Sequence, residues 1–165
     1  MASVKVGDHA PEFSLKAQDG ETVKLSDLLG RGPAVVYFYP KDKTPGCTAE
    51  AGSFRDNYAK FGEVGAEVVG ISSDSVESHE EFASDCNLPF KILSDADGAV
   101  RKQYGVQSSM GLFPGRVTYV IDKRGIVRYI YSSQLHATRH AEEALESLRS
   151  IGGDPQARAR QDAKA

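Results

Sequence analysis

The chain has two cysteines, and one of them, Cys47, sits in an unusual setting, Tyr39–Ser53, YPKDKTPGCTAEAGS. A thiol reacts as its thiolate, and helix N-termini and nearby cations favour that charge. Both are on offer here. Cys47 follows Pro45-Gly46 and heads a run in which Ala51, Phe54, Tyr58 and Phe61 recur at three and four, the period of an amphipathic helix. Lys41, Lys43, Arg55 and Arg116 are candidate cations, Thr44 offers a hydroxyl, and Glu50 lies where an acid suits a helix start and can orient an arginine. A cysteine is otherwise a small buried hydrophobe, and the local residues leave inert packing and a reactive thiol both open.

The elements that must position Cys47 follow from patterning. Val4–Leu15 reads as an extended arm. Asp19-Gly20 between Phe13–Leu15 and Thr22–Leu25 marks a hairpin, and Ser26 a short helix, SDLLG, ended by Gly30. Ala34–Tyr39 and Ala66–Ser72 are strands of the continuously apolar kind, covered on both faces. Pro40 ends the first, and the Cys47 helix follows. Ser75 is expected to cap a helix to about Cys86, which Asn87-Leu88-Pro89 stops. A strand at Phe90–Leu93 and a helix at Asp97–Tyr104 come next. The strands Val117–Asp122 and Ile126–Tyr131 join through Lys123–Gly125, and Ala137–Leu148 is the last helix. This order predicts an α/β fold with a mixed central sheet and helices on both faces, in one domain over residues 1–151. Residues 152–165 read as a flexible, solvated tail.

Composition narrows the chemistry. The chain has 165 residues, 40% hydrophobic, and a net charge of −3. No basic stripe points to nucleic acid, and no apolar run approaches the ~18 residues of a membrane span. Nor is a secretory or transit pattern visible, so the chain as given reads as cytoplasmic, with a mature organellar form, such as a chloroplast one, as the alternative. Two distant cysteines exclude a disulfide scaffold and a CxxC pair. His9, His79, His136 and His140 do not cluster with them, so no metal is expected. His136 and His140, four apart, read as surface residues. Asp95-Ala-Asp97-Gly98 reads as a turn and cap, because Val106 stands where a calcium loop needs its acid.

The segment from Pro40 through Thr44 to Cys47 matches PxxxTxxC, the signature of peroxiredoxins. Further motifs follow in the right order: GDHAPEF at Gly7–Phe13, AEVVGISSDS, SHEEFA, LPFKILSD and PGRVTYVID. The chain thus resembles, over nearly its whole length, the peroxiredoxin Q or bacterioferritin comigratory protein subfamily. The resemblance implies a thioredoxin-like fold with an N-terminal hairpin, and a monomer. It implies a peroxidase for hydrogen peroxide and organic hydroperoxides, without a cofactor, in antioxidant defence. Cys47 would attack the peroxide and become a sulfenic acid. Thr44 would hydrogen-bond thiolate and peroxide, Pro40 would shield the site, and Arg116 would stabilise the developing charge. The N–H groups of Gly46 and Cys47 would complete the pocket, and Glu50 would hold Arg116. Alternatives are a redox sensor or a thiol–disulfide oxidoreductase of the same fold. Activity is expected to persist below the ~8.5 at which a free thiol ionises.

Many members of the subfamily carry a resolving cysteine five residues after the first, where this chain has Gly52. Others carry it on the SHEEFA helix directly after the Phe, where this chain has Ala83, one helical turn before Cys86. Cys86 is thus either a packing residue or the resolving thiol. If it is inert, the reductant is an external thiol such as thioredoxin, glutaredoxin or glutathione.

Overall fold

The computed structural model describes residues 4–106 and 115–151. Its elements are β1 Ser14–Ala17, β2 Thr22–Lys24, α1 Leu25–Leu29, β3 Ala34–Phe38, α2 Pro45–Asp56, α3 Tyr58–Glu63, β4 Glu67–Ser72, α4 Val76–Cys86, β5 Lys91–Ser94, α5 Ala99–Tyr104, β6 Val117–Ile121, β7 Val127–Ser132 and α6 Arg139–Ile151. The tail expected at 152–165 lies outside the described residues.

One mixed sheet runs β2-β1-β5-β4-β3-β6-β7. The central strands β3, β4 and β5 are parallel, and β6 joins β3 antiparallel. Every residue of β3 and of β6 is buried, as their unbroken apolar runs require of strands covered on both faces. Alternation along β3 then splits the core. Val35, Tyr37 and Tyr39 face a cluster with Phe54 of α2, Phe61 of α3, Phe82 of α4 and the apolar face of α6. Val36 and Phe38 face the other cluster, with Leu28 of α1 and Val100 and Tyr104 of α5. The N-terminal arm lies along β7, with Gly7 N–H donating to the Val127 carbonyl and Val127 N–H to that of Asp8.

Three local expectations are corrected. Ser26 is not an N-cap: α1 starts at Leu25, and Ser26 N–H donates instead to the Glu12 carboxylate, 3.1 Å away. The run through Phe61 is two helices, broken at Asn57, whose side-chain amide bonds back to the Ser53 carbonyl. His136 and His140 are not both surface residues. His136 is exposed and precedes α6, whereas His140 is fully buried with Ala141, Ala144, Leu145 and Leu148. Ser75 does cap α4, its hydroxyl accepting from Ser78 N–H, and Asn87 ends that helix in the left-handed conformation.

Tight packing at β4 generates one prediction. Tyr37 stacks on Phe54 at 4.3 Å, and a Cβ on Gly70 of the neighbouring strand would stand 2.7 Å from the Tyr37 ring. Gly70→Ala overpacks this core and should cost about 1–3 kcal/mol in a urea titration. A second concerns pH. Burial pulls His140 from 6.5 down to about 4, so the unfolded chain binds a proton there that the folded chain refuses. Stability falls as pH drops from about 6.5 towards about 4, and His140→Phe should flatten the pH dependence of the urea midpoint over that window.

Candidate active site

The site lies at the carboxyl end of β3, where Tyr39 and Pro40 lead into the loop before α2. Thr44 occupies the N-cap position in extended conformation and Pro45 the first helical position, where its missing N–H costs nothing. The first rung of the helix ladder is Thr48 N–H to the Thr44 carbonyl at 2.8 Å, and Thr44 makes no side-chain cap. The N–H groups of Gly46 and Cys47 therefore precede the ladder, at the positive end of a twelve-residue helix. Cys47 is 1% exposed.

Arg116, one residue ahead of β6, reaches over this helix end. Its guanidinium donates from Nη1 to Glu50 Oε1 at 2.6 Å, and it faces Cys47, which favours its charge. Its Nη2 lies 3.0 Å from where a Cβ on Gly46 would stand, so only glycine leaves the arginine this seat. Burial works against the Arg116 charge, Glu50 and Cys47 work for it, and the balance holds its ionisation above the usual arginine range. Glu50 is fully buried, and burial pushes its carboxyl up to about 8 with Arg116 pulling the other way. Under this pair, His140 Nε2 bonds the Ser133 carbonyl and Nδ1 bonds Thr118 Oγ1 at 2.7 Å.

The other expected cations point elsewhere. Lys43 pairs with Glu81 on α4. Arg55 lies against Gly52, 3.3 Å from a would-be Cβ, and donates to the Cys86 carbonyl at 2.7 Å. Thr44 donates its hydroxyl to the Lys41 carbonyl at 2.9 Å, as a turn residue does, and Pro40 is half-buried at the rim. Cys86 sits in the same apolar cluster as Cys47. Both cysteines are free. Burial raises the Cys86 thiol, with Arg55 opposing.

Three residues missed in the sequence complete the surroundings. Asp42, read as a loop residue, is 4% exposed and binds the Tyr39 hydroxyl at 2.6 Å, the Ser78 hydroxyl at 2.8 Å and His79 Nδ1 at 2.7 Å. It straps the loop to α4. His79 is fully buried, its Nε2 on the Leu93 carbonyl. Asp42, Asp74 and His79 offer ligand atoms within 4.8 Å of one another. Yet these atoms are engaged in hydrogen bonds, Asp74 with Asp42 N–H and the Ser72 hydroxyl, so the cluster serves the loop rather than an ion. Arg101, read as part of an ordinary short helix, is buried and donates to the Tyr39 and Gly115 carbonyls at 2.8 and 3.0 Å. It ties the end of β3 to the approach of Arg116. No sequence signal marks these residues, because each owes its burial to contacts distant along the chain.

Comparison with known proteins agrees with this geometry. The AhpC/TSA family model matches residues 6–130. The chloroplastic peroxiredoxin Q of Sedum lineare is 52% identical over 92% of this chain and 81% of its own. The crystal structure of peroxidoxin BcpB from Mycobacterium tuberculosis superposes with a TM-score of 0.84 at 42% identity, covering 90% of this chain and 98% of that one. The Xanthomonas campestris bacterioferritin comigratory protein, studied for its alkyl peroxide reduction activity, gives 0.78 at 28% identity, covering 91% and 98%. A thiol at a helix end beneath a buried arginine, in a thioredoxin-like α/β sheet, thus has its place: the chain belongs to the AhpC/TSA family, on its peroxiredoxin Q branch, whose members are thiol-dependent peroxidases.

Proposed function

We propose that Cys47 is the peroxidatic nucleophile for hydrogen peroxide and small organic hydroperoxides. The observation that carries this reading is the seat of the Arg116 guanidinium at the head of α2, against Gly46 and paired with Glu50, where it faces Cys47. The thiolate sulfur attacks the distal peroxide oxygen, the O–O bond breaks, and Cys47 becomes a sulfenic acid as water or an alcohol leaves. Arg116 and the N–H groups of Gly46 and Cys47 stabilise the charge that moves from sulfur to the leaving oxygen. Thr44 turns its hydroxyl from the Lys41 carbonyl to the bound peroxide. Pro40 shields the site, and Glu50 holds Arg116.

For the second half of the cycle we infer an external thiol, of the thioredoxin, glutaredoxin or glutathione kind. Gly52 leaves the resolving position on α2 without sulfur. Cys86 is buried, at a helix C-terminus and with its thiol form favoured, which does not suit an attacking thiolate. The proposed unit is a monomer with one domain over residues 1–151. As to compartment, relatives named as chloroplastic support the organellar alternative rather than the cytoplasmic reading.

Cys47→Ser should abolish peroxide consumption, and Arg116→Gln should slow it by about 100-fold or more. A mutant that keeps its full rate without Arg116 would favour a redox sensor over a peroxidase. Intact mass after one equivalent of hydrogen peroxide should show added oxygen on Cys47 with Cys86 still free. Loss of two hydrogens within one chain would instead make Cys86 the resolving thiol.

A further inference from the structure

The hydrogen bonds around Glu50 do not suit a carboxylate. Oε1 has the Arg116 donor, but Oε2 is buried with no partner. The nearest polar atom facing it is His140 Nδ1, 3.6 Å away. His140 Nε2 must carry the ring proton, because its partner, the Ser133 carbonyl, can only accept. Its Nδ1 is therefore a lone pair, now filled by the Thr118 hydroxyl. An ionised Glu50 thus turns one oxygen towards an acceptor, whereas a protonated Glu50 can donate there when the Thr118 hydroxyl turns its proton away.

Charge counting leads the same way. Among the described residues Arg116 is the one cation that faces both Cys47 and Glu50, and these three side chains are 6%, 1% and 0% exposed. Two anions against it would leave a net negative charge in a dry site. The groups facing Glu50 from its neighbours add no compensation: Tyr37 from β3 is a neutral phenol, Thr118 from β6 a hydroxyl, and His140 from α6 neutral. Arg101 also faces Cys47, but it is matched by the buried Asp95, whose carboxylate accepts from the Val100 and Arg101 N–H groups.

We propose that Glu50 holds the proton that Cys47 gives up, so that the buried site carries one anion at a time and His140 is the positioning residue that receives Glu50's proton in a hydrogen bond. This rests on the reading of Cys47 as the nucleophile. The proton of Cys47–SH passes to ionised Glu50, so that the resting enzyme holds the thiolate and Glu50–COOH. When the thiolate attacks, one electron pair of sulfur forms the S–O bond and the O–O pair departs with the leaving oxygen. That oxygen takes up one proton and Glu50 releases one. The sulfenic acid is neutral, Glu50 again balances Arg116, and atoms and charge are conserved. Cys47 and Glu50 therefore titrate as one coupled pair.

The test is the pH profile of Cys47 alkylation by iodoacetamide, read by peptide mass so that Cys86 does not interfere. Glu50→Gln copies the protonated carboxyl: its amide donates to His140 and accepts from Arg116. The acid limb of the profile should therefore stay close to its wild-type position, with less than about a twofold change in alkylation below the limb. His140→Phe, which removes the acceptor, should move it to higher pH. If Glu50 instead stays ionised and only holds Arg116 in place, removing its charge moves the limb to lower pH by about one unit or more, with about tenfold faster alkylation below it, and the proposal fails. In the wild-type protein an infrared difference spectrum should lose a protonated-carboxyl C=O stretch when Cys47 is alkylated. Absence of that change also overturns the proposal, even where Glu50→Gln does not fold. A wild-type protein that shows both signatures but consumes no peroxide would refute the peroxidase reading and leave the shared proton standing.

Discussion

The contact between Arg116 and the head of α2 is the constraint around which the rest is arranged. A guanidinium in a dry setting is stable only with an anion beside it, and removing one partner of such a pair is far costlier than the pair is worth. Glu50 supplies the standing partner from the second turn of the same helix that carries Cys47. The arginine thus cannot shift without breaking its own compensation, and the sulfur lies under a cation fixed before any substrate arrives. Pre-set charge of this kind favours a transition state without a reorganisation cost at the moment of reaction.

Holding that geometry takes most of the surrounding fold. Arg116 is delivered by β6, which lies antiparallel to β3, and β3 delivers the loop before Cys47. Register between these two strands therefore sets the distance from arginine to thiol. Arg101 bridges the two chain segments at their ends, and Asp42 binds the intervening loop to α4. Gly46 keeps clear the space the guanidinium occupies. The cost is polar burial: Asp42, Glu50, His79, Arg101, Arg116 and His140 all lie inside. Such groups are tolerated mostly when hydrogen-bonded, and Glu50 Oε2, Arg101 Nε and Arg116 Nε are among the buried atoms of the site without a hydrogen-bond partner.

The helix end matters separately from the arginine. Because Pro45 has no N–H and Thr44 does not cap, the free donors of the first turn are left to Gly46 and Cys47. A Ser or Asp capping at position 44 would add stability to the helix while occupying donors meant for the ligand. At the other end of the apolar cluster, Cys86 terminates α4, where the helix dipole disfavours a negative charge. Two thiols in one cluster thus stand at opposite helix ends.

Much of this was legible along the chain. Apolar runs marked β3 and β4, because a strand buried on both faces has no reason to alternate. Proline and glycine before Cys47 fixed the thiol at a helix start, and the spacing of Thr44, Cys47 and Glu50 is local geometry that a helix enforces by itself. Motif order identified Arg116 at the head of its strand. What no local pattern carries is the side-chain environment of polar residues. Asp42 looks like any loop acid, Arg101 and His140 like surface positions of short helices, and Lys43 and Arg55 like neighbours of the thiol. Their actual partners lie across the sheet or on another helix, and only tertiary packing brings them together. The sequence alone determined which thiol heads a helix and which strands must be core. Tertiary structure decided which cation reaches it, and which acid shares its burial, because charges in a low-dielectric interior are governed by distance in space and not by separation along the chain.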